Sequence, residues 1–92
     1  MLGAPSEHKS DAAGLQKIAD FKGLIEGHAN ATYSTFEPKF YTTQVVAGTN
    51  YQARINVGDG FVDVKIYEPL GGEAASVSDF KTGVADGDQF GF

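Results

Sequence analysis

Two alternating runs flank one glycine-bearing turn, and this pattern restricts the fold more than any other feature of the chain. In residues 50–57, Tyr51, Ala53, Ile55 and Val57 alternate with Asn50, Gln52, Arg54 and Asn56. In residues 61–68, Val62, Val64 and Ile66 alternate with Phe61, Asp63, Lys65 and Tyr67. A period of two belongs to a strand with one apolar and one polar face. Gly58-Asp59-Gly60 between the runs is a turn signal, so the two strands form an antiparallel hairpin.

The elements around this hairpin follow from the same periodicities. A helix is expected to start near Ser10 or Asp11, either of which suits a cap. Leu15, Ile18, Ala19, Leu24 and Ile25 lie mostly on one helical stripe, with Phe21 at its edge. Gly14, Gly23 and Gly27 each weaken that helix by roughly 1 kcal/mol relative to Ala, so it must lean on packing. Gly27, Asn30 or the residues between them should end it. Residues 35–46 read as a strand in which Phe36, Pro38 and Phe40 favour one face and Tyr41 and Val45 the other; a bulge reconciles the two. Pro38 places its ring nitrogen where no ladder partner is needed. A last strand over about 76–85 turns Phe80 and Val84 inward, and Phe90 and Phe92 of the tail share one side, from which they can pack back on the sheet. Residues 1–9 read as a flexible arm. One helix followed by a four-strand meander is an α+β single domain spanning residues 1–92, with the helix covering one sheet face.

Composition excludes several functions. Ninety-two residues bury a bit over 60% of the unfolded surface, enough for one marginal core. The net charge of −5 argues against nucleic-acid and anionic-membrane partners, which require clustered Lys and Arg. There is no cysteine, which removes a thiol nucleophile and fits a reducing compartment. No apolar run is long enough for a signal peptide or a membrane span, so a cytoplasmic protein is expected. His8 and His28 stand far apart in the sequence with no ligand cluster around them, and Asp86-Gly87-Asp88 is too short for a calcium loop. No cofactor, no metal and no catalytic set is expected, and hence no enzyme. Lys9, Lys17 and Lys22 read as solvated positions.

The chemistry-bearing stretch is Gln44-Val45-Val46-Ala47-Gly48-Thr49-Asn50-Tyr51, which joins two strands through an apolar reversal. Hairpin tips are usually built from Asn, Asp, Gly and Ser; an apolar tip projects hydrophobic surface into water and marks a binding site. The stretch contains Gln-x-Val-x-Gly, and here the sequence resembles the cystatin superfamily of reversible inhibitors of papain-like cysteine proteases. The match continues through Thr49-Asn50-Tyr51 in the manner of the stefins, and the opening Met1-Leu2-Gly3-Ala4-Pro5 is similar to the short glycine-bearing stefin N-terminus. The resemblance covers nearly the whole chain. It implies a single long helix packed on a curved four- to five-stranded antiparallel sheet, with the arm as the extra strand.

The resemblance also implies a wedge of three segments for the active-site cleft of a cathepsin-type protease. Leu2 and Gly3 belong to the arm: Gly3 lets it lie flat, and Leu2 enters the specificity pocket. Val45, Val46 and Ala47 supply apolar contact, with Gly48 allowing close approach. Gln44 either ties the hairpin through its side chain or is a solvated strand residue. Pro69 and Leu70 form the third segment; stefins usually show Leu before Pro there, and the reversed order leaves open a non-inhibitory binding module on the same scaffold. An apolar hinge between two long strands invites exchange between identical chains, so a monomer able to form a domain-swapped dimer is expected.

Overall fold

The computed structural model describes residues 8–90. Two helices, α1 (Ala12–Ala19) and α2 (Lys22–Ala29), precede strands β1 (Glu37–Val46), β2 (Gly48–Asn56), β3 (Phe61–Glu68) and β4 (Ser76–Val84). A short 3-10 turn over Leu70–Gly72 stands between β3 and β4. The strands form one antiparallel sheet in the order β1-β2-β3-β4. The α+β class and the meander are therefore as expected. The single long helix is not: the helical run is interrupted at Asp20 and Phe21.

The interruption has a local cause. The Phe21 N–H donates to Ile18 O, three residues back, at 3.0 Å, so the turn tightens there. The Phe21 ring then meets Tyr51 of β2 at 5.8 Å, while Ile18 and Ile25 both reach the core. Gly14 and Gly23 on either side supply little helix propensity to resist the break. Leu24, placed on the apolar stripe by periodicity, is 36% exposed. Asp11 is the N-cap, accepting from the Gly14 N–H at 2.9 Å. Asn30 ends α2 in the left-handed region, φ 55°, and both its own N–H and that of Ala31 bond Glu26 O.

The core is a layer of Ala53, Ile55, Val62, Val64 and Ile66 under Ile18 and Ile25, with Tyr41 at its β1 margin. The inward parity of β2 and β3 matches the alternation read from the sequence. Phe80 packs against this core and Val84 is buried. The bulge expected in β1 lies between Pro38 and Phe40, and β1 is an edge strand, where proline is tolerated. Among the described residues the arm contributes no fifth strand but a single antiparallel bridge: the Lys9 N–H donates to Tyr41 O at 2.8 Å, and the Tyr41 N–H to Lys9 O at 2.9 Å.

Tyr41 ties β1 to the start of α1. Its hydroxyl donates to Asp11 Oδ1 at 2.5 Å, and a Cβ on Gly14 would collide with its ring and hydroxyl. Gly14 therefore weakens the helix but permits this approach. The hydrogen bonds from Tyr41 and the Gly14 N–H hold the Asp11 carboxyl below its ordinary value of 3.8. The same bond to Asp11, followed by burial, pushes Tyr41 from 10.0 up to about 12. Tyr41 thus keeps its proton longer when folded than when unfolded. Its contribution is fully present below pH 10.0 and is lost as pH rises toward about 12. The Asp11 contribution has the opposite sign: it is present above pH 3.8 and lost as pH falls below that. Denaturant midpoints measured from pH 9 upward are expected to fall over the alkaline window, and Tyr41→Phe should flatten part of that fall. The remainder belongs to Tyr33 and Tyr51, both raised chiefly by burial.

The other sheet face carries what alternation assigned to solvent. Arg54 and Asp63 are 1% and 0% exposed. They are direct cross-strand partners, joined by two bonds of 2.8 Å, Nε to Oδ1 and Nη2 to Oδ2. Asp63 beside it raises the Arg54 guanidinium further above its already high value. Chain following β4 covers the pair, so the sheet has a small polar core on this outer face.

Candidate functional site

The site is built at one end of the sheet. β1 ends at Val46, Ala47 alone makes the reversal, and β2 begins at Gly48. Thr49 of β2 pairs with Val45 on one side and with Glu68, the last residue of β3, on the other. The β1–β2 tip and the 69–72 turn therefore project from the same edge. Val45 shares the helix-side face with Tyr41 and Thr43, yet it is 61% exposed. Leu70 is 72% exposed. These are the two most exposed large apolar side chains among the described residues, and both sit on this edge.

Gly48 has φ +122°, a conformation that L side chains rarely adopt. A Cβ there would lie 2.5 Å from the Glu68 carbonyl oxygen and 2.9 Å from Tyr67 Cε1. The glycine is buried, so its role is to let the tip lie flat on the end of β3. Val46 and Gln44 are half-buried, and Ala47 is exposed. Gln44 pairs with Asn50 across the ladder. Pro69, extended at ψ 159°, leads into the turn carrying Leu70, and Gly71 closes that turn at φ 83°. Leu2 and Gly3 lie outside the described residues.

Two residues that the sequence reading passed over hold this edge together. The Tyr67 hydroxyl donates to the Ala47 carbonyl oxygen and so bolts the tip to β3. Register arithmetic contains that signal, because with Thr49 opposite Glu68 the preceding tyrosine falls beside the tip. Lys17, read from the sequence as a solvated position, keeps part of its side chain in water but is also tethered: its Nζ lies 2.9 Å from Glu68 Oε2 and over the Phe21 and Tyr51 rings at 5.4 and 6.0 Å. Glu68 raises the Lys17 ammonium above its ordinary value. The pair is partly exposed, so it positions the start of the 69–72 turn more than it stabilises the fold.

No family model matches the chain. Individual proteins do, along nearly its full length. Cystatin-B of Macaca fuscata fuscata is 34% identical over 96 residues, covering 100% of this chain and 98% of the relative. Cystatin-A of Felis catus is 33% identical over 91 residues, covering 95% and 93%. The chain belongs to the stefin-type cystatins. Human Cystatin-B, 34% identical over 97% of this chain and 95% of its own, agrees. Membership in this family, together with the apolar edge, carries the functional reading.

Proposed function

We propose that this stefin-type cysteine protease inhibitor acts as an apolar wedge, entering the active-site cleft of a papain-like, cathepsin-type protease reversibly and in competition with substrate. One observation supports the mechanism above others: Val45, at the end of β1, and Leu70, on the 69–72 turn, are 61% and 72% exposed at the same end of the sheet. Val46 and Ala47 continue the apolar tip, Gly48 and Gln44 shape it, and Pro69 aims the second loop. Leu2 and Gly3 of the arm complete the wedge on the non-primed side; the Lys9–Tyr41 bridge ties the arm's root to β1, the strand that ends in the tip. A wedge of this kind fills the cleft with side chains and backbone bonds while presenting no peptide bond to the nucleophile.

An interface of standard size buries on the order of 1,600 Å² and in protease–inhibitor pairs reaches nanomolar affinity, about −12 kcal/mol. Titration against active-site-titrated papain should give a competitive constant in that range with slight salt dependence. A folded protein that leaves papain uninhibited at micromolar concentration would refute the wedge. Leu70→Ala should leave the melting temperature unchanged, because the side chain is exposed, and weaken inhibition roughly 5- to 30-fold. Tyr67→Phe removes one hydroxyl and frees Ala47 O; we expect an unchanged fold and a faster dissociation rate, about threefold to tenfold. An unaltered rate would mean that the tip holds its shape without the bolt.

The free protein is proposed to be a cytoplasmic monomer. Its tip is also a hinge between β1 and β2, so a domain-swapped dimer extended through residues 45–49 would lack the wedge. Dimer isolated after heating at high concentration should accordingly be inactive.

A further inference from the structure

The outer face of the sheet carries a clamp that the wedge does not use. Arg54, bound to Asp63 by two hydrogen bonds, has donors left over, and they go to the chain after β4. Nη1 donates to Asp86 O and to Asp88 O, each at 2.8 Å, and Nη2 to Gln89 O at 3.3 Å. One buried guanidinium thus captures three backbone carbonyls of the tail. The charge lies over two neighbouring aromatic rings, Phe40 of β1 at 5.7 Å and Phe90 of the tail at 5.6 Å. Lys39 adds an ion pair to Asp86 at 3.0 Å.

The same two rings hold the beginning of the described chain. The imidazole of His8 stacks on Phe40 at 4.5 Å with an interplanar angle of 8°, and meets Phe90 edge-on at 5.1 Å. Phe40 and Phe90 are themselves edge-to-face at 4.8 Å. His8 precedes Lys9, whose backbone makes the bridge to Tyr41. Every member of this chain of contacts, from Asp63 through Arg54 and Phe90 to His8, is a direct contact. The cost of burying the ion pair also has a use here, because a guanidinium oriented by Asp63 still has Nη1 and Nη2 donors to pin three carbonyls at once.

We propose that the tail over residues 86–90 is a positioning element of the inhibitor: clamped by Arg54, it holds His8, and with it the root of the N-terminal arm, against β1. Arm residues that must reach a cleft in one direction gain from a root already fixed, because less freedom is lost on binding. The inhibitory part of this inference rests on the wedge reading; the structural part does not.

Amide hydrogen exchange in the free protein tests the clamp directly. In Phe90→Ala the Lys9 and Tyr41 amides should exchange about threefold to tenfold faster, the size expected for one lost aromatic contact, while the Ala53 amide keeps its rate. Unchanged exchange at Lys9 would overturn the proposal. His8→Ala, a change at an exposed ring, should give the same acceleration and add little when combined with Phe90→Ala. If Phe90→Ala does not fold, His8→Ala decides alone, with unchanged Lys9 exchange again overturning the clamp. Papain inhibition supplies the second readout. Removing residues 1–3 should weaken inhibition in the unchanged chain and weaken it at least about threefold less in Phe90→Ala. Equal weakening in both would overturn the coupling. No weakening in the unchanged chain would instead refute the arm's inhibitory role and leave the exchange rates to judge the clamp.

Discussion

Gly48→Ala is expected to weaken protease inhibition by roughly 30-fold or more, the range of a hot-spot residue, and to destabilise the fold in the same step. Sequence alone suggests that a bulky change here, such as Gly48→Arg, would leave the fold intact. The structure argues otherwise. The backbone at Gly48 sits at φ +122°, and the new Cβ would lie 2.5 Å from a backbone oxygen, that of Glu68, which cannot rotate away. Holding a non-glycine residue in such a conformation costs about 1–3 kcal/mol before the collision is counted. The chain relieves both by lifting the tip from the end of β3, which also breaks the Tyr67–Ala47 hydrogen bond. Val45, Val46 and Ala47 then lose their fixed position, and the wedge its shape. Parallel measurement of the inhibition constant and the urea midpoint checks the claim. Loss of inhibition with an unmoved midpoint would mean that the tip absorbs the Cβ locally and that the two effects are separate.

The largest effect on stability is expected at Asp63. Asp63→Ala leaves the Arg54 guanidinium buried, charged and without its carboxylate, and breaking a buried pair in this way costs about 3–5 kcal/mol. For a domain of this size the melting temperature should drop by more than roughly 10 °C. The double change Arg54→Met with Asp63→Leu removes both charges together and should recover much of that loss, because no unpaired ion remains. It should also release the tail, since Met offers no donor to the carbonyls of Asp86, Asp88 and Gln89. Thermal melts of the single and double variants test this. An Asp63→Ala protein that melts within a few degrees of the parent would show that water reaches Arg54 and that the outer face is not a core.

Much of the architecture was legible. The β2 and β3 patterns around Gly58-Asp59-Gly60 identified the hairpin and its inward residues, because period-two alternation and burial on one face have the same origin. The conflict between Phe36, Pro38, Phe40 and Tyr41 called for a bulge without placing it; the shift between Pro38 and Phe40 puts Pro38 and Tyr41 opposite inward residues of β2 and leaves Phe40, grouped with Pro38 by alternation, on the outer face opposite Arg54. The helix break was not legible. It depends on Phe21 finding Tyr51, a partner thirty positions away, and weak local propensity does not say which turn gives way. The outer-face core misled for a related reason: Arg54 and Asp63 are polar, and alternation assigns polar residues to water unless something covers them.

The apolar tip, the family it belongs to and the inward face of the sheet follow from residue order, because they depend on side chains close in sequence or on matches along nearly the whole chain. The tip's seating on β3, the Lys17 tether to Glu68 and the burial of Arg54 depend on contacts between residues 9 to 51 positions apart. Such contacts exist only after the strands have paired and the chain after β4 has folded back over the sheet, and a linear pattern does not record which distant group will be there to satisfy a buried charge or carbonyl.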